Sequence, residues 1–305
     1  MPMDRIELAP RHKIGLPLRS PLILAAGTIG YGDARPRALD LGACGAWVTA
    51  PIGQQPPASL PEDDADAPRR AEVPGGVVLA PASHPPSASR VLRRYAPTWP
   101  RLGLPVIAHL AATARPVPEE AVRLAAIAQR LASAPGVAAL ELALDVDAGA
   151  DAASALIAQI HRVSDLPLLA ALPLVPAIDH WAIACAKAGA DALVVGQPPL
   201  AAAPTRLGTL VRGQLYGPAV APLAWEALTR VAALGLDLPL VGAGGVHQID
   251  DILTYLRLGA TAVQIDTVVW IDPECLQRWQ ATAQWKTLVT SAGEDSKTSI
   301  TGGQR

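Results

Sequence analysis

The sequence predicts an α/β fold, a closed (β/α)8 barrel of the TIM type, in a single domain over residues 1–290. Three observations carry this. Short apolar runs recur without polar alternation, as strands covered on both faces of a parallel sheet require. Amphipathic segments separate them. And there are eight such runs, one for each strand–helix unit of a barrel.

The runs, in order, are "PLILAAG" (Pro21–Gly27), "GAWVTA" (Gly45–Ala50), "LPVIAHL" (Leu104–Leu110) and "VAALELAL" (Val137–Leu144), then "LPLLAAL" (Leu166–Leu172), "DALVVG" (Asp191–Gly196), "LPLVGAG" (Leu238–Gly244) and "TAVQID" (Thr261–Asp266). Between the third and fourth, Pro118 to Ser133 carries Ala121, Leu124, Ala125, Ala128 and Leu131 on one helical stripe. Glu119 and Glu120 fall in its first turn, where the helix dipole favours them. Asp250 to Leu258 follows a glycine turn and stops at Gly259. "AGAD" (Ala188–Asp191) and "LGAT" (Leu258–Thr261) each end a helix and enter a strand. An open doubly wound sheet is the alternative architecture.

Arg5 to Leu18 is expected to form a small hairpin closing the bottom of the barrel. Two stretches interrupt the rhythm. Gly53 to Pro74, with the acidic run Glu62-Asp63-Asp64, and Pro198 to Gly217 read as long connections after the second and sixth strands. Loops at the C-terminal ends of barrel strands usually wall the ligand site. Residues 291–305 have no apolar pattern and are expected to be a disordered tail.

A net charge of −2 provides no basic footprint for nucleic acid. The longest apolar run, Leu166 to Ile178, is broken by Pro167, Pro173 and Pro176 and is too short to span a bilayer. The N-terminus shows no secretory signal. Cys44, Cys185 and Cys275 are scattered, as reduced cytoplasmic thiols would be, and form neither a disulfide framework nor a zinc site.

Several motifs then appear in a specific order. "PLILAAGTIGYG" resembles the "P-x-x-x-A-S-G-x-x-G-x-G" opening of dihydroorotate dehydrogenases. "RRAEVPGGVVLA" (Arg69–Ala80) resembles their "PR-x-x-E-x-PGG-x-LN" segment, and "APGVAALEL" (Ala134–Leu142) the approach to their catalytic loop. "GQLYGPAVAPLAWEAL" (Gly213–Leu228) is similar to their "GGLSGPA-x-x-P" turn and helix. "GAGGVHQIDDILTYLRLGATAVQIDT" is similar to their last two phosphate-binding turns. The matches cover Pro21 to Pro273. The resemblance implies an FMN-dependent barrel that oxidises dihydroorotate to orotate. It also implies cofactor contacts at Ala26, Gly27, Gly217, Gly244, Gly245 and Thr267, and a homodimer or a partner subunit.

Such an oxidation needs a base for one carbon while hydride leaves its neighbour for the flavin. The family's base, a Cys or Ser in "N-x-S-[CS]-P-N", falls at Val146, which cannot accept a proton. Asp145 and Asp147 flank it and read most simply as a solvated strand end and helix entry. The family's two flavin-contacting lysines fall at Ala50 and Ala171, and an Asn of the third strand falls at His109. No Asn occurs anywhere in the chain, so the family's substrate-binding amides have no like-for-like replacement. Asp266 takes the place of a phosphate-turn Gly. Two unit charges about 4 Å apart repel by roughly 4 kcal/mol at an effective dielectric near 20. Arg206 or Arg212 would be positioned to offset this.

His109 and His84 are either hydrogen-bonded rim residues or groups with acid, base or ligand roles. No His or Cys pair has metal-ligand spacing. Three functions follow. The leading expectation is a divergent homologue that has lost dihydroorotate oxidation and serves as a scaffold or subunit. The second is an active FMN-dependent oxidoreductase of the same family, on dihydroorotate or another small substrate. The third is unrelated chemistry through His109 with Asp145 or Asp147.

Overall fold

A computed structural model of the protein describes residues 6–53, 69–80, 85–111, 118–286 and 288. His84, the acidic run 62–64 and the tail 291–305 lie outside these residues.

The chain opens with β1 (Ile6–Glu7) and β2 (Pro17–Leu18), an antiparallel hairpin in the register Ile6↔Leu18. The first barrel strands are β3 (Leu22–Leu24) and β4 (Ala46–Val48). An excursion follows, with β5 (Arg70–Val73), β6 (Gly76–Leu79) and helix α1 (Ala88–Arg94). The barrel resumes with β7 (Val106–Ala111), α2 (Pro118–Ala132), β8 (Val137–Ala143) and α3 (Ala150–Val163). Next come β9 (Leu168–Leu172), α4 (Ile178–Lys187) and β10 (Ala192–Val195). A second excursion forms β11 (Leu200–Pro204) and β12 (Leu210–Tyr216), which lead to α5 (Ala221–Ala233). The last units are β13 (Leu240–Gly242), α6 (Ile249–Arg257), β14 (Ala262–Ile265), α7 (Thr267–Ile271) and α8 (Cys275–Gln280).

Eight parallel strands, in the order β3-β4-β7-β8-β9-β10-β13-β14, close back on β3. Closure excludes the open doubly wound sheet. Each of the eight apolar runs supplies one of these strands. Alternation along each strand divides the side chains between two faces. The outer face packs with the helices in one large cluster that includes Leu22, Trp47, Leu140 and Leu193. Inward-facing Ile23, Val48, Ile107, Leu169, Val194 and Val241 form a second cluster, which continues into Leu8, Leu16 and Leu18 of the N-terminal hairpin. The hairpin therefore plugs the N-terminal end of the barrel, as its sequence predicts. Each aliphatic side chain buried fully there stabilises the fold by roughly 1.5–3 kcal/mol.

The two long connections are not separate loops. Their strands pair as one four-stranded antiparallel sheet, β11-β12-β6-β5, held by its own small core of Ala71, Val78, Ala203 and Val211. Strand β12 joins the two excursions through Gln214↔Leu79 and Tyr216↔Val77. This sheet is anchored beside the barrel mouth, where Ala219 N–H donates to Gly75 O at 3.0 Å.

Candidate active site at the barrel mouth

The inward positions of the strands end in a ring of small residues. Ala171 and Ala243 belong to the inner cluster, and alternation places Ala111 and Ala143 on the same face. Below them the interior is polar. His109 on β7 and Glu141 on β8 are register partners and both are buried. His109 Nδ1 lies 2.9 Å from Glu141 Oε1, and Gln264 Nε2 on β14 donates to Glu141 Oε2 at 2.5 Å. The His109 backbone is fixed as well. Its N–H donates to Thr49 Oγ1 at 3.0 Å, and its carbonyl accepts from Ile52 N at 2.9 Å.

This arrangement sets the tautomer. In the neutral imidazole beside an ionised Glu141, both neighbours of the carboxylate donate to it, so the proton sits on Nδ1 and Nε2 keeps the lone pair. Nε2 forms no hydrogen bond among the described residues. The His109 side chain is 10% exposed and that of Glu141 2%. Asp145 takes no part. Its carboxylate accepts from Asp147 N at 2.8 Å in a local turn, and Asp147 is exposed. The expectation that joined His109 with Asp145 or Asp147 is thus corrected. The partner is Glu141, the single charge in the run "VAALELAL".

Two glycine positions at the mouth are fixed by the fold itself. Gly245 has φ +73°, and a Cβ there would lie 2.4 Å from Ala221 N. Gly217 has φ +108°, with a Cβ 2.8 Å from Gly75 O. The residue type alone therefore carries no evidence for a ligand. The amides carry more. Among the described residues, the N–H groups of Ala26, Gly27, Gly244 and Gly245 have no acceptor. Gly245 is buried, where an N–H ordinarily finds a partner. A Cβ on Gly27 would meet nothing within 4 Å, so its surroundings are open. The next amides along, His247 and Gln248, are already taken by Asp251 Oδ2 at 2.9 and 3.0 Å.

Asp266 sits at the start of α7, half-buried, and accepts from Thr267 N at 2.5 Å. Burial raises its pKa above the usual carboxylate value, and the Thr267 amide partly offsets that. The Thr267 hydroxyl also favours the ionised carboxylate, from a position too poorly aligned for a proper hydrogen bond. Burial, then the Asp266 charge, push the Tyr216 phenol up to about 12. Tyr255, whose hydroxyl reaches Ala243 O at 2.7 Å and Gly244 O at 2.5 Å, is pushed up by burial and then by Asp251 and Asp266. The arginine compensation expected for Asp266 does not occur through Arg206, whose side chain is 94% exposed and lies 3.9 Å from Glu72. Arg212 is exposed on β12.

The family model described as dihydroorotate dehydrogenase matches residues 11–281. The chain belongs to the dihydroorotate dehydrogenase family. A relative from Desulforudis audaxviator, named dihydroorotate dehydrogenase B (NAD(+)), catalytic subunit, is 34% identical over 282 residues, covering 85% of this chain and 86% of its own. Relatives of the same name from Geobacillus kaustophilus and Pelobacter propionicus are 31% and 32% identical, over 85% and 86% of this chain and 84% and 88% of their own.

Against the family pattern, Val146 lies in a short 3-10 turn, Val146–Ala148, and offers no proton acceptor. Ala171 is buried, and its carbonyl accepts from Gln197 Nε2 at 2.5 Å. Ala50 N–H is bonded to Gly30 O at 2.8 Å. The residues present fit a flavin phosphate on the Gly244–Gly245 side through free amides. Asp266, at the start of α7, would repel a phosphate beside it when ionised. The inward Ala111, Ala143, Ala171 and Ala243 supply no cation.

Among the described residues, no group of three His, Cys, Asp or Glu side chains is placed to hold a metal. No helix among them is long and apolar enough to cross a membrane.

Proposed function

We propose that this chain is an active flavin-dependent oxidoreductase of the dihydroorotate dehydrogenase family. Its substrate would be a small ring compound with a CH–CH bond beside a carbonyl, dihydroorotate by the relatives' name. One observation carries the reading: the buried His109–Glu141–Gln264 network on the inward face of the barrel strands, one inward position below Ala111 and Ala143. Enclosing a carboxylate in a barrel core costs several kcal/mol unless it is fully paired, and well-packed hydrophobic residues would often serve stability as well or better. Buried titratable pairs of this kind cluster at functional sites. When bound, FMN would supply the acceptor for a hydride. The free amides of Ala26, Gly27, Gly244 and Gly245 are the groups that would hold its phosphate end.

The test is direct. The purified chain is expected to carry flavin or take it up on incubation with FMN, and to oxidise dihydroorotate with at least one electron acceptor. The relatives are named as subunits, and we extend this to the chain as a complex with a second copy or a partner; light scattering on the purified protein measures it.

A second reading, a homologue that has lost the reaction, is favoured by Val146, Ala50 and Ala171. A protein that stays colourless after incubation with FMN would support that reading and sink the first.

A further inference from the structure

We infer that His109 is the acid–base catalyst of this site, with Glu141 and Gln264 as its positioning residues. The inference rests on the reading that the mouth binds a substrate, and it supplies the proton acceptor that Val146 cannot. Three features support it. The first is orientation. Nδ1 is held by Glu141 Oε1 at 2.9 Å, which leaves the Nε2 lone pair for a ligand. The second is rigidity. The carboxylate is itself fixed by Gln264 Nε2, and the His109 backbone is bonded at both N–H and C=O. A base whose partner is oriented by a third group follows the logic of a catalytic triad. The third is access. The histidine faces the barrel interior, which the hairpin closes below, and 10% of its side chain is exposed.

The groups facing His109 are few. Glu141 comes from β8, Gln264 from β14 and Thr49 from the end of β4, while Ile107 and Val48 share its interior. Asp266 is two positions further toward the mouth on the inward side of β14. No lysine or arginine of the described residues hydrogen-bonds or ion-pairs with this set.

The step is a proton transfer. The C–H bond at the carbon next to the substrate carbonyl breaks. Its electron pair stays on the substrate as an enolate, and the proton goes to His109 Nε2. In the full oxidation, a bound flavin would supply the acceptor for the hydride of the adjacent carbon, leaving a C=C bond. Without oxidation the enolate is reprotonated from solvent, so the first half can be followed alone.

Two measurements test it. The first treats the unaltered protein with diethyl pyrocarbonate and maps the modified histidines by mass spectrometry. His109 is expected to be labelled in the folded protein, because Nε2 is free. The second follows exchange of the dihydroorotate proton next to the carbonyl for deuterium, by NMR in heavy water. The wild-type chain is expected to accelerate exchange over buffer, and His109→Gln to lose roughly a hundredfold or more of that rate. Glu141→Gln is expected to lower the exchange rate and alter its pH profile while leaving substrate affinity near that of wild type. An unlabelled His109, no acceleration by the wild-type chain, or exchange in His109→Gln as fast as in wild type would each overturn the inference. Labelling needs no variant, so misfolding of His109→Gln cannot mask the result. Exchange through His109 in a chain that never binds flavin would overturn the oxidoreductase reading while sustaining this one.

Discussion

Asp266 shows how one side chain changes meaning when its surroundings are known. As a sequence position, it puts a full negative charge where a phosphate belongs. In the structure it caps α7 through Thr267 N, and burial raises its pKa above the usual carboxylate value. A carboxyl whose folded pKa lies above its ordinary 3.8 binds more protons folded than unfolded. Its contribution is therefore most favourable at low pH and is lost as pH rises from about 4 through the folded pKa. Asp266→Asn keeps an oxygen for the Thr267 amide and removes this loss. The variant is expected to melt above the parent at neutral pH, with the gap closing as pH falls toward about 4. A gap that widens on acidification would show the carboxylate to be stabilised in the fold. Asp266→Gly is expected to tighten FMN more than riboflavin, by roughly tenfold or more at pH values where the carboxyl is ionised. Equal effects on the two flavins would mean that Asp266 does not face the phosphate.

At the scale of elements, the strand–turn–helix corners do most of the positioning. Gly245 packs on the start of α5 with a left-handed backbone, so Gly245→Ala is expected to destabilise the chain by at least about 2 kcal/mol. Loss of flavin binding with unchanged stability would instead make that glycine a ligand requirement. Asp251 caps α6 by accepting from His247 and Gln248, and Asp251→Ala is expected to cost about 1–2 kcal/mol in thermal or denaturant unfolding.

The elements were unevenly legible. All eight barrel strands were visible as apolar runs, and helix α6 ends at Arg257, one residue short of the predicted Leu258. The sheet of β5, β6, β11 and β12 was not. "RAEV" and "LAAAP" fell within the two predicted connections; each pairs with the next strand, but it is the non-local ladder of β12 with β6 that makes one sheet of them, and no local pattern announces such a ladder. The site was legible in the same way. His109 stood out by type, but Glu141 was hidden inside an apolar run, and only the register of β7 with β8 brings the two together. Gln264, within "TAVQID", carried no local signal of its role.

For the whole molecule, the barrel separates stability from chemistry. The hairpin plug and outer helices bury the aliphatic mass, while among the described residues the mouth has backbone amides without acceptors and a polar floor whose His109 Nε2 has no hydrogen bond. Family membership accounts for the barrel and the glycine turns. It does not by itself assign a role to Val146, Ala50 and Ala171 or to the paired His109. We propose that His109 carries the proton transfer of this site. The most direct test is the visible spectrum of the chain, purified and then incubated with FMN, before and after anaerobic addition of dihydroorotate. The account predicts near-stoichiometric flavin absorbance that bleaches on addition of the substrate. A protein that takes up no flavin, or whose bound flavin dihydroorotate leaves unchanged, would contradict it.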